Sequence, residues 1–319
     1  MLLFPSHGIT ERSFMKMTLQ QLKYIVTVAE TGNITSAAQK LFISQPSLTN
    51  AVRELEKEMQ ITIFNRTNKG VSISHEGDVF LGYARQVLEQ ANLLEEKFLN
   101  VKEQSPHFSV SCQHYSFAVN AFVDVIRKFG GNTYDFTLRE TQTYEIIEDV
   151  RRLRSEIGIL YVCSKNEEIL LKLIRKNDLK FEELFTARPH VFISSRHPLA
   201  GKASIALEDL EEYPYLSFEQ GEYNSFYFSE EILSTLDRKK NIKVRDRATL
   251  FNLVIGLNGY TVSSGVISNE LNGTHIIAKP LLVHEYMRIG TVTQKDMKLS
   301  RYGAAYMEAL RHHINVCDE

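Results

Sequence analysis

Residues 44–59 divide into two faces of opposite character, and few arrangements of a chain satisfy both. Ser44 can cap a helix, because its hydroxyl accepts from a free backbone N–H of the first turn. Pro46 falls in that first turn, where a missing N–H costs little. The apolar residues share one helical face: Leu48, Ala51, Val52, Leu55 and Met59. The opposite face consists of Pro46, Thr49, Asn50, Arg53 and Lys57. Such a helix packs by one face and leaves the other for solvent or a partner.

Two shorter helices are predicted before this one. Apolar residues spaced by three and four predict a helix over residues 19–31, which Gly32 ends. A second short helix is predicted over residues 35–41. Three helices in this order are typical of a helix-turn-helix, whose third helix enters the major groove of DNA. A plain three-helix bundle with a solvated polar face fits the periodicity equally well.

The segment after the third helix favours the first alternative. Residues 61–64 and 71–73 alternate like two short strands, and the polar residues 65–70 between them are predicted to form a turn. Arg66 and Lys69 give this turn two positive charges, which suits a wing that reaches the DNA backbone. Residues 17–75 contain six Lys or Arg and four Glu, whereas the whole chain has a net charge of −2. The local excess is small, so charge alone is a weak indication.

Residues 19–77 resemble the LysR-type transcriptional regulators. The resemblance rests on an ordered set of motifs: Gly-Asn-Ile-Thr-Ser-Ala-Ala-Gln-Lys-Leu at 32–41, Ser-Gln-Pro-Ser-Leu-Thr at 44–49, Leu-Glu at 55–56, Phe-Asn-Arg at 64–66 and Gly-Val at 70–71. It implies DNA contacts at Gln45, Pro46, Ser47, Thr49, Asn50, Arg53, Arg66 and Lys69. Two positions depart from the pattern. Asn50 stands where many members have Arg, and Ser74 replaces a frequent Thr but keeps the capping hydroxyl.

A heptad pattern predicts a long helix after the wing. Its apolar positions are Phe80, Ala84, Val87, Ala91, Leu94, Phe98 and Val101, spaced alternately by four and three. Ser74 can cap the helix, and Ser105 with Pro106 would end it. The seam fits the family's linker helix, which pairs two chains into a homodimer or homotetramer. We therefore expect an operator on double-stranded DNA with approximate two-fold symmetry. A long helix packed along its own domain remains the alternative.

Beyond Pro106, strands and helices alternate, which predicts α/β lobes. The pattern resembles the family's effector domain, whose fold is that of periplasmic binding proteins. The expected fold is therefore multidomain: an all-α winged helix-turn-helix with a long linker helix, then an α/β two-lobed domain. The predicted boundaries are 1–16 for a disordered extension or an over-long gene start, 17–75 for the DNA-binding domain, 76–105 for the linker helix and 106–319 for the effector domain. Within the last, lobe I is expected at 106–167 and 275–319, and lobe II at 168–274.

Polar residues at strand ends are candidates for binding an effector. In open α/β sheets, ligands bind at a crevice beyond the carboxyl ends of the strands. The candidates there are Gln113, Ser116, Thr141, Thr143, Ser217 and Tyr260. Free N–H groups at helix N-termini suit anions, so a metabolite with a carboxylate is expected. Helix capping and turn formation explain Ser and Thr at such places equally well.

The sequence motifs of several classes of enzyme are absent from the chain. It has no P-loop, no dinucleotide fingerprint, no nucleophile elbow and no metalloprotease motif. The three cysteines form no C-x-x-C pair, and no apolar run reaches the 18 residues that a membrane span needs. We expect a cytoplasmic regulator without catalytic or metal site, without cofactor beyond a small-molecule co-inducer, and with RNA polymerase as a further partner.

The sequence is also compatible with two other functions, an enzyme and an adaptor protein. An enzyme would need a compact cluster of acids or histidines with shifted pKa values in the cleft. An adaptor would use residues 17–75 for protein contacts, although Arg53 and the basic wing argue against it.

Overall fold

The computed structural model describes residues 17–67, 70–99, 107–131, 133–223, 225–267 and 273–315. The chain forms two compact units, residues 1–100 and residues 101–319. The extension expected at residues 1–16 lies outside the described residues. Among the described residues, no helix is both long and apolar enough to cross a membrane.

The first unit contains the expected three helices, a two-stranded wing and a long fourth helix. These are α1 (Leu19–Thr31), α2 (Ile34–Lys40), α3 (Gln45–Met59), β1 (Phe64–Thr67), β2 (Gly70–Ile73) and α4 (His75–Leu99). Each short helix begins at a side-chain cap: Thr18 accepts from the Gln21 N–H, Asn33 from Thr35 and Ser36, and Ser44 from Ser47. The predicted helices are confirmed because these signals are local.

The first wing strand differs from its predicted position at residues 61–64. Ile63 is fully buried, and the Glu56 carboxylate accepts from its N–H at 2.7 Å and from the Phe64 N–H at 3.0 Å. A helix side chain therefore takes the bonds that a partner strand would otherwise provide. The strand begins only at Phe64, which puts Arg66 on the strand rather than in a turn.

The fourth helix has two apolar faces. Ser74 accepts from the Gly77 N–H at 2.8 Å, which confirms the predicted cap. Leu81 and Ala84 are buried in the core of the first unit, with Phe80 packed against them. A second set is exposed: Val79, Tyr83, Val87 and Leu94. The first two positions of the predicted seam thus pack on their own domain, and the side chains of Phe98 and Val101 lie outside what the structure describes.

The described residues of the second unit form three sheets with helices against them. Its strands are β3 (His107–Cys112), β4 (Asp135–Glu140), β5 (Ile157–Val162), β6 (Leu179–Ala187), β7 (His190–Ser194), β8 (Tyr215–Phe218), β9 (Asn241–Val244), β10 (Thr261–Ser263), β11 (Ile276–Pro280) and β12 (Met287–Gln294). Its helices are α5 (Ser116–Phe129), α6 (Thr143–Arg151), α7 (Glu167–Lys176), α8 (Arg247–Leu257) and α9 (Arg301–Asn315). Lobe I has the sheet order β4-β3-β5-β12-β6, and lobe II has β10-β7-β11 with the parallel pair β8-β9.

Two strands correct the predicted division between the lobes. β6 lies within the span assigned to lobe II, yet it pairs with β12 in the lobe I sheet. β11 lies after residue 275, where the return to lobe I was expected, yet it pairs with β7 in lobe II. Both boundaries were therefore wrong: the chain changes lobes after Ala187 and again between Pro280 and Met287. The lobe of each strand is set by pairing with a strand about a hundred residues away. Local periodicity in the sequence does not reveal such a pairing.

Candidate nucleic-acid interface and ligand cleft

The polar face of α3 lies at the surface of the first unit. Leu48 and Leu55 are fully buried against α1 and α2, and this fixes the opposite face outward. The predicted contact residues Gln45, Pro46, Ser47, Asn50 and Arg53 are exposed, and Thr49 is half-buried. The Gln45 amide donates to the Thr49 hydroxyl at 2.9 Å, so these two side chains lie together. The face offers the donors and acceptors that base edges and phosphates require.

The wing is held by backbone contacts with Gly32 that the sequence pattern does not predict. Gly70 has φ +137° and lies against α1: a Cβ there would come within 2.4 Å of the Gly32 carbonyl oxygen. That carbonyl accepts from the Val71 N–H at 2.9 Å. Arg66 is exposed on β1. The predicted contact at Lys69 lies outside the described residues.

One exposed aromatic residue beside this face escaped the sequence prediction. Phe42 is 95% exposed in the turn between α2 and α3, with a left-handed φ of +55°. Such a backbone is unfavourable for a residue with a large Cβ substituent. Periodicity places Phe42 in a turn but does not show that its ring lies in solvent.

The ligand cleft lies between the lobes of the second unit. Its cavity measures about 470 Å³. Lobe I contributes His114, Glu140, Thr141, Gln142 and Glu145, and lobe II contributes Glu219, Gln220, Gly221, Glu222, Tyr223 and Arg245. Of the six predicted effector residues, Thr141 is in this lining.

The other predicted residues lie elsewhere or hold the fold. Gln113 is fully buried and donates to the Thr143 hydroxyl at 2.7 Å, while its own oxygen accepts from the Tyr161 N–H at 2.9 Å. Ser116 is buried beside the Val266 carbonyl of lobe II. Ser217 and Tyr260 are not in the lining, and Tyr260 borders a separate cavity within lobe II, where its hydroxyl accepts from Arg238. A role in ligand binding stays a prediction for all six residues.

The segment 219–231, without residue 224, connects lobe II to lobe I and is called here the bridging segment. Glu230 accepts from the His114 N–H at 2.5 Å and lies 2.8 Å from its Nδ1. Gln220 accepts from the Thr143 N–H at 3.1 Å. The Tyr223 ring stacks on that of Tyr144, with centroids 3.6 Å apart. Sequence reasoning missed these residues because each contact joins positions more than 75 apart along the chain.

Burial and charge shift several pKa values where the lobes meet. Burial and the nearby Glu230 carboxylate raise the pKa of Glu231 to about 8. Burial lowers the pKa of His114, but the charge and hydrogen bond of Glu230 outweigh it, so this pKa lies above the usual value. Burial raises the pKa of Glu140 despite the Arg247 guanidinium 3.0 Å away across the cleft. A change of protonation at His114 or Glu140 would therefore alter a contact between the lobes.

A cluster of acids and a histidine is thus present, as an enzyme would need. Glu230 is nevertheless bonded to His114 through both oxygens, and Glu231 accepts from the Phe218 N–H at 2.7 Å. The His114 ring stacks on Phe218 with centroids 3.7 Å apart. Among the described residues, no three His, Cys, Asp or Glu side chains converge as metal ligands would. The cluster joins the lobes.

Both units match known protein families. Residues 19–78 match the family model of bacterial regulatory helix-turn-helix proteins of the lysR family, and residues 116–315 match that of the LysR substrate binding domain. The chain is 25% identical over 264 residues to a probable RuBisCO transcriptional regulator of Phaeodactylum tricornutum, covering 81% of this chain and 84% of that protein. It is 47% identical over 72 residues to the regulator TfdT of Cupriavidus pinatubonensis, covering 23% of this chain and 32% of that protein. A full-length OxyR variant from Pseudomonas aeruginosa shares the fold, with a TM-score of 0.66 at 22% identity over 92% of this chain and 98% of that one.

Proposed function

Because the chain belongs to the LysR family of DNA-binding transcriptional regulators, we propose that α3 and the wing read operator DNA under the control of a small molecule held between the lobes. The observation that carries the proposal is the exposed face of α3, with Arg53 on the helix and Arg66 on the wing strand. Side chains of this kind bind phosphates and base edges in the major groove. The contacts at Gln45, Ser47 and Asn50 are part of the proposal.

Two chains pair through α4 in this proposal. Val79, Tyr83, Val87 and Leu94 expose apolar side chains on one face of the helix, between 43% and 61% of each being accessible. Val79 and the others lie away from Leu81 and Ala84, which face the domain core. Pairing through this stripe would remove it from water and place two copies of α3 on an operator with two-fold symmetry. A tetramer and a contact with RNA polymerase would be built on this dimer.

The small molecule acts in this proposal by favouring one arrangement of the lobes. It can shift their equilibrium only by binding one arrangement better than the other. The cavity wall includes the bridging segment, whose Glu230 also holds His114 of lobe I. Binding there would therefore change the contact between the lobes. We propose a co-inducer and no catalysis or resident cofactor, because the cluster at Glu230 is engaged by neighbouring groups of the protein.

The test is a titration of the full-length protein against labelled DNA from upstream of its own gene, beside scrambled DNA. The Arg53→Ala variant should lose sequence-dependent affinity while keeping its oligomeric state. Arg175→Ala is the matched control, because Arg175 is exposed on α7 of the other unit. If wild type and Arg53→Ala bind both DNAs equally, the α3 face does not read DNA and the adaptor hypothesis takes its place.

A further inference from the structure

The cavity between the lobes is lined by more negative than positive charge. Four glutamates line it: Glu140, Glu145, Glu219 and Glu222. The positive groups in the same lining are Arg245 and, when protonated, His114. Arg245 is paired with Glu219, and His114 with Glu230 just behind the wall. Within the described lining, Glu145 and Glu222 have no cation to balance them. The sequence led us to expect a ligand with a carboxylate, because free N–H groups at helix N-termini suit anions. The net negative charge of this lining would repel such a ligand.

The buried side-chain amide of Gln220, in the same wall, has a donor without a hydrogen-bond partner among the described residues. Gln220 is only 3% exposed, and its oxygen accepts from the Thr143 N–H. Its Nε2 has no hydrogen-bond partner within the described protein. A buried donor without a partner is costly, so a ligand with an acceptor atom would be favoured at this point.

An aromatic ring completes the lining. Tyr223 borders the cavity and is held by stacking on Tyr144 and by its neighbour Phe228. The faces of phenol rings attract cations even at partly exposed sites such as this one, where Tyr223 is 44% exposed. Carboxylates, a ring face and one unsatisfied amide donor together suit a ligand with a positive end and an oxygen atom nearby.

We propose that this cavity binds a small organic cation that carries an ammonium or guanidinium group and an oxygen acceptor. The oxygen of the ligand accepts a hydrogen bond from Gln220 Nε2, and the carboxylates of Glu222 and Glu145 bind its cationic end. This proposal rests on the proposed function, since it names the class of effector for the same cleft.

The test uses calorimetric titration of the full-length protein without DNA, at constant ionic strength. The probes are argininamide, lysinamide, 4-aminobutanol and glucosamine, which each carry a cationic group and an oxygen acceptor. Butylamine is the cation without an acceptor, and the neutral or acidic compounds of similar size are butanol, glucose, succinate and glucuronate. At least one cation should bind about tenfold tighter than its counterparts, as loss of a charge-assisted hydrogen bond predicts. If no cation binds, or if an acid binds more tightly, the proposal is wrong. Mg²⁺ binding that displaces the organic cations would also overturn it in favour of a metal.

Two variants assign the binding to the cavity. Glu222→Gln should weaken the best cation about tenfold, whereas Glu211→Gln should not, because Glu211 borders the other cavity of lobe II. Gln220→Met should abolish the advantage of 4-aminobutanol over butylamine, since only the hydroxyl needs the amide. Equal effects of Glu222→Gln and Glu211→Gln would mean that the cation binds by general surface charge. Because DNA is absent from these titrations, their failure leaves the DNA-binding test of the proposed function unaffected.

Discussion

Glu56 determines where the wing begins, and its removal is expected to damage DNA binding without touching a DNA-facing atom. Its carboxylate accepts from the N–H groups of Ile63 at 2.7 Å and Phe64 at 3.0 Å. Ile63 is fully buried and Phe64 is 7% exposed, so water cannot easily replace the carboxylate. Leaving one buried donor unsatisfied costs about 1–3 kcal/mol, so Glu56→Ala, which frees two, should destabilise the first unit by roughly 2–6 kcal/mol. That is a large part of the 5–15 kcal/mol that typically stabilises a domain.

The assay is urea denaturation followed by circular dichroism, since the chain has no tryptophan to report fluorescence. Glu54→Ala is the matched control: it removes the same charge from the same helix, but Glu54 is exposed. Its midpoint should stay near that of wild type, whereas that of Glu56→Ala should fall. Removing a negative charge near DNA favours binding by itself, so Glu54→Ala should bind DNA at least as well as wild type. Glu56→Ala should bind worse, because Arg66 follows the residues that Glu56 holds.

Equal denaturation midpoints for the two variants would refute this reasoning. Such a result would mean that the backbone of Ile63 finds other partners, and that core packing alone positions the wing. Glu56→Gln refines the measurement, because both N–H groups donate to the same oxygen, Oε1, and the amide keeps such an oxygen without the charge. It should lie between wild type and Glu56→Ala.

Four further predictions concern other parts of the molecule. Arg66→Ala should reduce the log–log salt dependence of DNA affinity by about 0.9, the value for one phosphate contact, and an unchanged slope would remove Arg66 from the interface. Leu94→Asp should shift the protein toward monomer in sedimentation, while Asn92→Asp on the other side of α4 should not. Phe42→Asn should raise the stability of the first unit by roughly 1 kcal/mol, because Asn tolerates the left-handed backbone better, and a lower unfolding midpoint would contradict this. Folded Glu231 keeps its proton up to about pH 8, whereas the unfolded chain loses it near 4.5, so its contribution to stability falls as pH rises between these values. Thermal unfolding of Glu231→Gln should therefore show a smaller loss of stability between pH 5 and pH 8 than wild type.

The first unit could be predicted closely because its signals are local. Ser44 caps α3, Pro46 fits the first turn, and Leu48 and Leu55 repeat on the helix period. Each of these signals lies within a few residues of the structure that it specifies. The wing is the exception: Glu56 and Ile63 are seven residues apart, and a hydrogen bond from a helix to a following strand leaves no periodic trace.

The second unit was predicted less well, since its decisive contacts are distant along the chain. β7 and β8 could be placed from their own alternation, but β6 and β11 take their lobe from partners far away. Of the polar residues at strand ends, Thr141 lines the cavity between the lobes, whereas the Gln113 side chain is buried and bonds Thr143. Because a buried amide and a ligand-binding amide look the same in sequence, only the surrounding partners separate them.

The bridging segment both borders the cavity and contacts lobe I. Gln220 and Glu222 border the cavity, and Glu230 ends the same segment at His114. A ligand that accepts from Gln220 Nε2 would bind the same side chain whose oxygen holds the segment to lobe I through the Thr143 N–H. Binding at Gln220 would therefore act on the same segment that joins lobe I at His114 through Glu230. The differential affinity that a regulator needs would thus arise from one short segment that forms both the wall of the cavity and the joint between the lobes.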